Sequence, residues 1–145
     1  MSLIEAAGDG RPVQFASTRP ELAASPLPAD ILREALLDPS LRADPRGLTI
    51  VGATITGFLD LSFATLDFPL NFLMCSFEQT PNFQYFCGTH LSLKGCRVPG
   101  INLDAAVLDG RLSLNDGFES HGSVTATGIT VRDTLNCSGA TLDGG

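Results

Sequence analysis

The chain has few side chains whose types and spacing could support catalysis. Its 145 residues include four cysteines and two histidines, His90 and His121. The sequence has no Cys-x-x-Cys motif, and neither histidine has a metal-ligand spacing to a cysteine. It also lacks a Gly-x-Ser-x-Gly nucleophile elbow and a Gly-x-Gly-x-x-Gly dinucleotide fingerprint. We therefore predict no catalytic residue, no metal site and no cofactor, which favours a non-enzymatic protein.

The elements that position these side chains form a ladder of short apolar segments about eleven residues apart. In each rung an apolar-x-apolar pair precedes a small residue, as in Leu59-Asp-Leu61-Ser-Phe-Ala64. Alternate residues of a strand share a face, so each pair is expected to point inward. Self-similarity of this kind is typical of a solenoid. The rungs begin at residues 48, 59, 70, 83, 91, 101, 112, 124 and 135.

A second inward pair follows within each rung, a small residue and then a large one, as in Ala64 and Leu66. Each rung therefore supplies two short segments separated by a corner, and two rungs supply four sides. The pattern predicts an all-β fold of square coils, about 22 residues per coil and four to five coils, stacked at the spacing of neighbouring strands.

The ladder over residues 47–145 resembles the pentapeptide-repeat superfamily, in which a small and then a large apolar residue point inward. The segments at 43–48 and 52–61, ADPRGL and GATITGFLDL, are also similar to actinobacterial repeat proteins often labelled membrane-associated oxidoreductase. The resemblance implies a right-handed quadrilateral β-helix. We do not adopt the oxidoreductase label as the leading hypothesis, because the sequence offers no residues for a redox cofactor.

Residues 1–46 have a different, proline-rich composition and are predicted to form an N-terminal arm with one helix. The helix is expected over about 28–38, with proline in its first turn and Pro39 as its stop. Ile31, Leu32, Ala35 and Leu36 have helical spacing. We expect this helix to cap the first coil of the repeat domain at 47–145, since an uncovered end exposes unpaired strand edges.

The repeat pattern predicts a packing role in the core for the cysteines, and it places two polar residues at inward positions where apolar residues are expected. Cys75 and Cys96 occupy the small inward position one coil apart, near disulfide range, and Cys137 occupies a large one. His90 and Glu119 fall where a large apolar residue is expected. A one-residue shift would instead bury Phe118 and expose Glu119, and a tight corner would account for His90, so a functional role for either is the less favoured interpretation.

Three surfaces are candidates for contact with a partner. Exposed aromatic patches are typical of binding sites, although for the aromatic set we favour cover by the proline-rich arm at 11–28 over contact with a partner. A row of acids would suit mimicry of duplex DNA, and an uncovered last coil would suit an end-to-end homodimer. The aromatic set is Phe58, Phe63, Phe68 and Phe86, the acidic set is Asp60, Asp67, Asp104, Asp109 and Asp133, and the end set is Leu135, Cys137 and Leu142.

Composition limits the classes of partner. The net charge of −7 divides into −2 for residues 1–46, from five basic and seven acidic residues, and −5 for residues 47–145, from four basic and nine acidic residues. Direct nucleic-acid binding needs clustered Lys and Arg and is not expected. No signal sequence or apolar run of membrane-spanning length is present, so we expect a cytoplasmic protein without a membrane span.

The leading functional hypothesis is a non-enzymatic protein-binding scaffold, whose partner is another protein or a second copy. The alternatives are an acidic DNA mimic that acts on a DNA topoisomerase or another DNA-binding protein, and an oxidoreductase. The first alternative rests on the resemblance and on the charge.

Overall fold

A computed structural model describes residues 12–14, 26–38 and 47–142 of this chain. Within these residues there is one helix, α1 (Ala29–Leu36), among short strands. The strands are β1 (Pro12–Gln14), β2 (Pro26–Pro28), β3 (Leu48–Val51), β4 (Thr54–Thr56), β5 (Leu70–Leu73), β6 (Ser76–Phe77), β7 (Cys87–Gly88), β8 (Leu91–Ser92), β9 (Arg97–Val98), β10 (Ile101–Asn102), β11 (Val107–Leu108), β12 (Leu112–Ser113), β13 (Glu119–Ser120), β14 (Val124–Thr125), β15 (Thr130–Val131), β16 (Leu135–Asn136) and β17 (Thr141–Leu142).

The strands stack in parallel into four sheets, which form the four sides of a β-solenoid. Side A has the order β1-β3-β5-β8-β12-β16, and side B has the order β2-β4-β6-β9-β13-β17. Side C contains β10-β14 and, above them, bridges that join Asp60 to Asn82 and Asn82 to Asn102. Side D contains β7-β11-β15, with Thr65 bridged to Cys87. The all-β solenoid predicted from the ladder is confirmed.

Strand pairing on side A fixes the coil length. Leu48 pairs with Leu70, Leu70 with Leu91, Leu91 with Leu112, and Leu112 with Leu135. Successive coils are therefore 22, 21, 21 and 23 residues long, by subtraction of these numbers. The predicted coil of about 22 residues is confirmed, and the four intervals define coils 1 to 4.

The rung predicted to begin at Phe83 was placed two residues too late. Because Asp60 pairs with Asn82, the partner of Leu59 is Pro81 and the partner of Leu61 is Phe83. Pro81 is buried at the position that Leu59 holds one coil earlier. With this correction the rungs at 70, 81 and 91 are 11 and 10 residues apart, and Tyr85 moves from an inward position to a corner.

The corrected alignment reveals an exchange of side-chain volumes in two coils. Where coil 1 has Ala64 followed by Leu66, coil 2 has Phe86 followed by Gly88, and both Phe86 and Gly88 are buried. A Cβ on Gly88 would lie 2.6 Å from Phe86 Cε2, so the ring fills the space that a large residue at 88 would need. Because protein interiors are close-packed, the large side chain at 86 has to be matched by a small residue at 88, and the total volume in the core is conserved.

A second exchange occurs on side B, where Phe118 and Ser120 replace the small-then-large order. Phe118 is fully buried, while Glu119 turns outward, which confirms the shifted alignment considered for this segment. Ser120 is buried as well, and its hydroxyl donates to the Gly122 carbonyl at 2.9 Å. Burial of this hydroxyl is tolerated because it is hydrogen-bonded.

The N-terminal helix covers the first coil, as expected. Ala29, Leu32 and Leu36 are buried in the same apolar cluster as the inward residues of the solenoid. β2, directly before α1, pairs with β4, and Arg33 Nε donates to the Asp60 carbonyl at 2.9 Å. β1 pairs with β3, so two arm segments extend the stack instead of lying over the aromatic set. Residues 15–25 of that arm lie outside the described residues.

Candidate interaction surface

The structure divides the predicted aromatic set into exposed and buried members. Phe58 and Phe63 are exposed, whereas Phe68 and Phe86 are buried, so the expectation that all four point outward was wrong for two. Phe68 lies two residues after the inward Leu66 and therefore shares its face. Phe86 is inward because it takes the exchanged position described above. Phe58 and Phe63 are at different corners of coil 1.

The exposed partner of Phe63 is a residue that sequence reasoning placed in the core, Tyr85. The two rings stack with centroids 4.9 Å apart and an interplanar angle of 11°. They are 72% and 50% exposed, respectively. Only the corrected alignment, which puts Tyr85 one coil below Phe63, would have identified the pair. We name this surface the aromatic corner; it is defined by Phe63 and Tyr85 between sides C and D.

The aromatic corner has an unusual backbone. Phe63 and Tyr85 have φ of 62° and 58°, in the left-handed region, and the same column continues with Ala105 at 58° and Gly128 at 72°. Left-handed geometry costs about 1–2 kcal/mol for an L-residue, and an aromatic pair contributes about 0.5–1.5 kcal/mol beyond its buried area. Stacking therefore offsets only part of the cost of placing two aromatic residues at exposed left-handed positions.

The aromatic corner lies on the acidic half of the solenoid. The segments that form sides C and D in coils 1 to 3, at 57–69, 79–90 and 99–110, contain no Lys or Arg, but they contain Asp60, Asp67, Asp104 and Asp109. The Ser62 hydroxyl donates to Asp60 at 2.6 Å and holds the pKa of that carboxyl below its usual range. Asp60 is therefore charged at neutral pH.

The five predicted acids do not form one unpaired row. Asp60 and Asp104 are on side C, whereas Asp67, Asp109 and Asp133 are close to the corner between sides D and A. Asp109 pairs with Arg132, and Asp133 is 4.0 Å from Arg111 Nε. Asp104 accepts a hydrogen bond from the Thr127 amide at 2.9 Å. The two arginine contacts reduce the charge density that mimicry of DNA would require.

The remaining candidate residues have structural contacts. The Cys75 and Cys96 thiols are buried and free, and they donate to the Ile50 and Phe72 carbonyls at 3.4 and 3.2 Å. Burial raises the pKa of the Cys96 thiol, which makes it a poor nucleophile.

His90 and Glu119 are also accounted for by contacts with neighbouring coils. His90 Nδ1 accepts from the Arg111 amide at 2.9 Å, and its ring lies over Gly110, where a Cβ would come within 2.3 Å. Glu119 is 3.3 Å from Arg97 Nε and 3.8 Å from His121 Nε2. Both residues join consecutive coils at half-buried positions.

The end set lies at the last turn that the structure describes. β14, β15, β16 and β17 are each the edge strand of their sheet. Leu135 and Leu142 are 55% and 57% exposed, and Cys137 is exposed too. All three occupy inward positions, so their exposure reflects the lack of a described coil beneath them. Among the described residues, this end combines apolar side chains with strand edges that have a free side.

Within the described ranges, no group of three or more His, Cys, Asp or Glu side chains is arranged to hold a metal ion. In the part of the chain that the structure describes, no helix is long and apolar enough to cross a membrane. Comparison with protein-family models, curated proteins and solved structures finds no match to this chain. A function for this chain is therefore inferred from its surfaces.

Proposed function

We propose that this protein is a non-enzymatic binding scaffold whose aromatic corner contacts another protein. The observation that carries the proposal is the Phe63–Tyr85 stack, which is exposed and built on left-handed backbone at both residues. The setting of the pair adds support, because it projects from a stack of coils whose apolar core is continuous. Solenoids suit this role, since each coil adds surface without changing the shape of its neighbours.

Co-fractionation in the native host tests this proposal. The wild-type chain is expected to elute from a gel-filtration column in a complex larger than its own assembly. The double variant Phe63→Ser/Tyr85→Ser should elute as the purified protein does. Phe58→Ser is the matched control, because it removes an exposed phenylalanine from another corner, and it should behave as the wild type. Identical elution of the wild type and the double variant would contradict the proposal.

A second candidate function, self-association through the end set, is favoured by the four edge strands and by Leu135 and Leu142. Two copies joined at this end would bury these leucines and pair some of the strand edges. Light scattering should then give a dimer mass that falls toward 15.2 kDa on dilution. Leu135→Lys should give the monomer at all concentrations, and Thr80→Lys, at an exposed position in coil 2, should not. A monomeric wild type would exclude this assembly.

A further inference from the structure

The corner positions of successive coils form a column, and the position directly below the aromatic stack, Ala105, has no ring. We call this position the open place. Phe63 is followed one coil later by Tyr85, then by Ala105 and Gly128, as the hydrogen bonds from their amides to the next coil show. Stacked coils repeat at about 4.8 Å, which matches the 4.9 Å between the two ring centroids. At Ala105 the column has only a methyl group. The face of the Tyr85 ring that points toward coil 3 is therefore not covered by a third ring.

An acid lies beside this open place. Asp104 directly precedes Ala105, and its carbonyl accepts a hydrogen bond from the Tyr85 amide at 2.9 Å. One carboxylate oxygen, Oδ1, accepts from the Thr127 amide. The carboxylate is partly exposed and keeps acceptor capacity, since an ionised carboxylate has about four lone-pair sites. The open place thus lies beneath the face of an aromatic ring, and the residue next to it along the chain carries a negative charge.

We propose that the aromatic corner binds an arginine side chain of its protein partner, with the guanidinium stacked on Tyr85 above Ala105 and paired with Asp104. This inference rests on the binding function proposed above and names the chemistry of the partner. A guanidinium is planar, stacks on aromatic faces and still donates hydrogen bonds from its edge. It would continue the ladder that Phe63 and Tyr85 begin.

The surrounding charge favours a cationic partner over an apolar one. Asp60 and Asp67 flank the aromatic corner along the chain, and sides C and D carry no Lys or Arg in coils 1 to 3. Two described cations lie on this half: Arg33 of α1 donates to the backbone of Asp60, and Arg132 in coil 4 pairs with Asp109. An uncharged apolar segment would contact the rings but would gain nothing from these carboxylates. A lysine would satisfy the charge without the planar stacking surface.

Tyr85 provides a direct probe, because it is the only tyrosine and the chain has no tryptophan. The peptide acetyl-Gly-Ser-Gly-Arg-Gly-Ser-Gly-amide is titrated into the intact chain while Tyr85 emission is recorded. A second peptide carries citrulline, a neutral isostere, in place of arginine. The arginine peptide should change Tyr85 emission in a saturable manner, and the citrulline peptide should bind about fivefold to tenfold more weakly.

Three variants test the location of the site. Ala105→Phe fills the open place without changing charge and should abolish the emission change. Asp104→Asn should weaken binding about twofold to fivefold, the range of an exposed ion pair. Phe58→Ala should have no effect. Equal binding of both peptides, or arginine binding that Ala105→Phe leaves unchanged, would overturn the inference.

The failure of this inference can be told apart from failure of the proposed function. If co-fractionation depends on Phe63 and Tyr85 while the arginine peptide does not bind, the partner uses other chemistry and the arginine inference is wrong. If co-fractionation is independent of these residues, the binding function itself is wrong.

Discussion

The exchange of volumes between Phe86 and Gly88 predicts strong energetic coupling between these two positions. The single variant Phe86→Ala removes a fully buried ring and should destabilise the fold by about 3–5 kcal/mol. The single variant Gly88→Leu forces a side chain into the space of that ring, with its Cβ already 2.6 Å from Cε2, and should cost about 1–3 kcal/mol or more.

The double variant Phe86→Ala/Gly88→Leu should be much more stable than the sum of these effects implies. It recreates in coil 2 the order that coils 1 and 3 have, Ala64 with Leu66 and Ala106 with Leu108. Phe86 also makes an edge-to-face contact with Phe83, at 5.5 Å between centroids, and its loss costs about 0.5–1.5 kcal/mol. The free energy of unfolding of the double variant should therefore be within about 2 kcal/mol of that of the wild type.

Urea unfolding followed by Tyr85 fluorescence measures the free energies of unfolding for all four proteins. The expected coupling is at least about 2 kcal/mol in favour of the double variant. The control pair Phe86→Leu and Ser120→Ala, on opposite sides and two coils apart, should be additive within about 0.5 kcal/mol. Additivity at positions 86 and 88 would refute the exchange, and with it the corrected alignment of coil 2.

Three further predictions concern the corners and the thiols. Phe63→Asn should change the free energy of unfolding by less than about 1 kcal/mol, because asparagine tolerates the left-handed backbone and this gain offsets the lost stacking. A loss above about 2 kcal/mol in urea unfolding would show that the ring is needed for stability. Asp60→Ala should cost about 0.5–1.5 kcal/mol at pH 7 by removing the acceptor for Ser62, whereas Asp60→Asn retains an acceptor. Because the pKa of Asp60 is lowered on folding, its charge stabilises the fold above the ordinary carboxyl pKa, and this contribution is lost as the pH falls through the folded value. The advantage of wild type over Asp60→Asn should then shrink between pH 7 and pH 3, and a constant difference would contradict the assignment. A thiol reagent should modify Cys87 and Cys137 in the folded chain and all four cysteines only in urea, because the other two are buried; four rapid reactions would show that the core is open.

The sequence predicts the coil well because the inward residues repeat in type as well as in spacing. Leu59-x-Leu61 and Ile101-x-Leu103 leave only one alignment that buries both members, and the structure has that alignment. Helix α1 was also predictable from its proline start and its apolar spacing, although it is shorter at both ends than expected.

Coil 2 was misread for a physical reason. Phe83, Tyr85 and Phe86 are all aromatic, so two alignments satisfy the apolar pattern equally well over this segment. The choice between them depends on whether Phe86 fits beside residue 88, which is a property of the packed core and not of the strand. The same ambiguity concealed the aromatic corner, because its second ring belongs to the misaligned segment.

Photo-crosslinking in the native host tests the central claim, that the aromatic corner is a protein-binding surface, most directly. A photoactivatable phenylalanine analogue is placed at position 63 and, in a matched protein, at position 58. We predict a discrete crosslinked product of higher mass from position 63 and none from position 58. Equal crosslinking from the two positions, or no crosslinked product from position 63, would contradict the account.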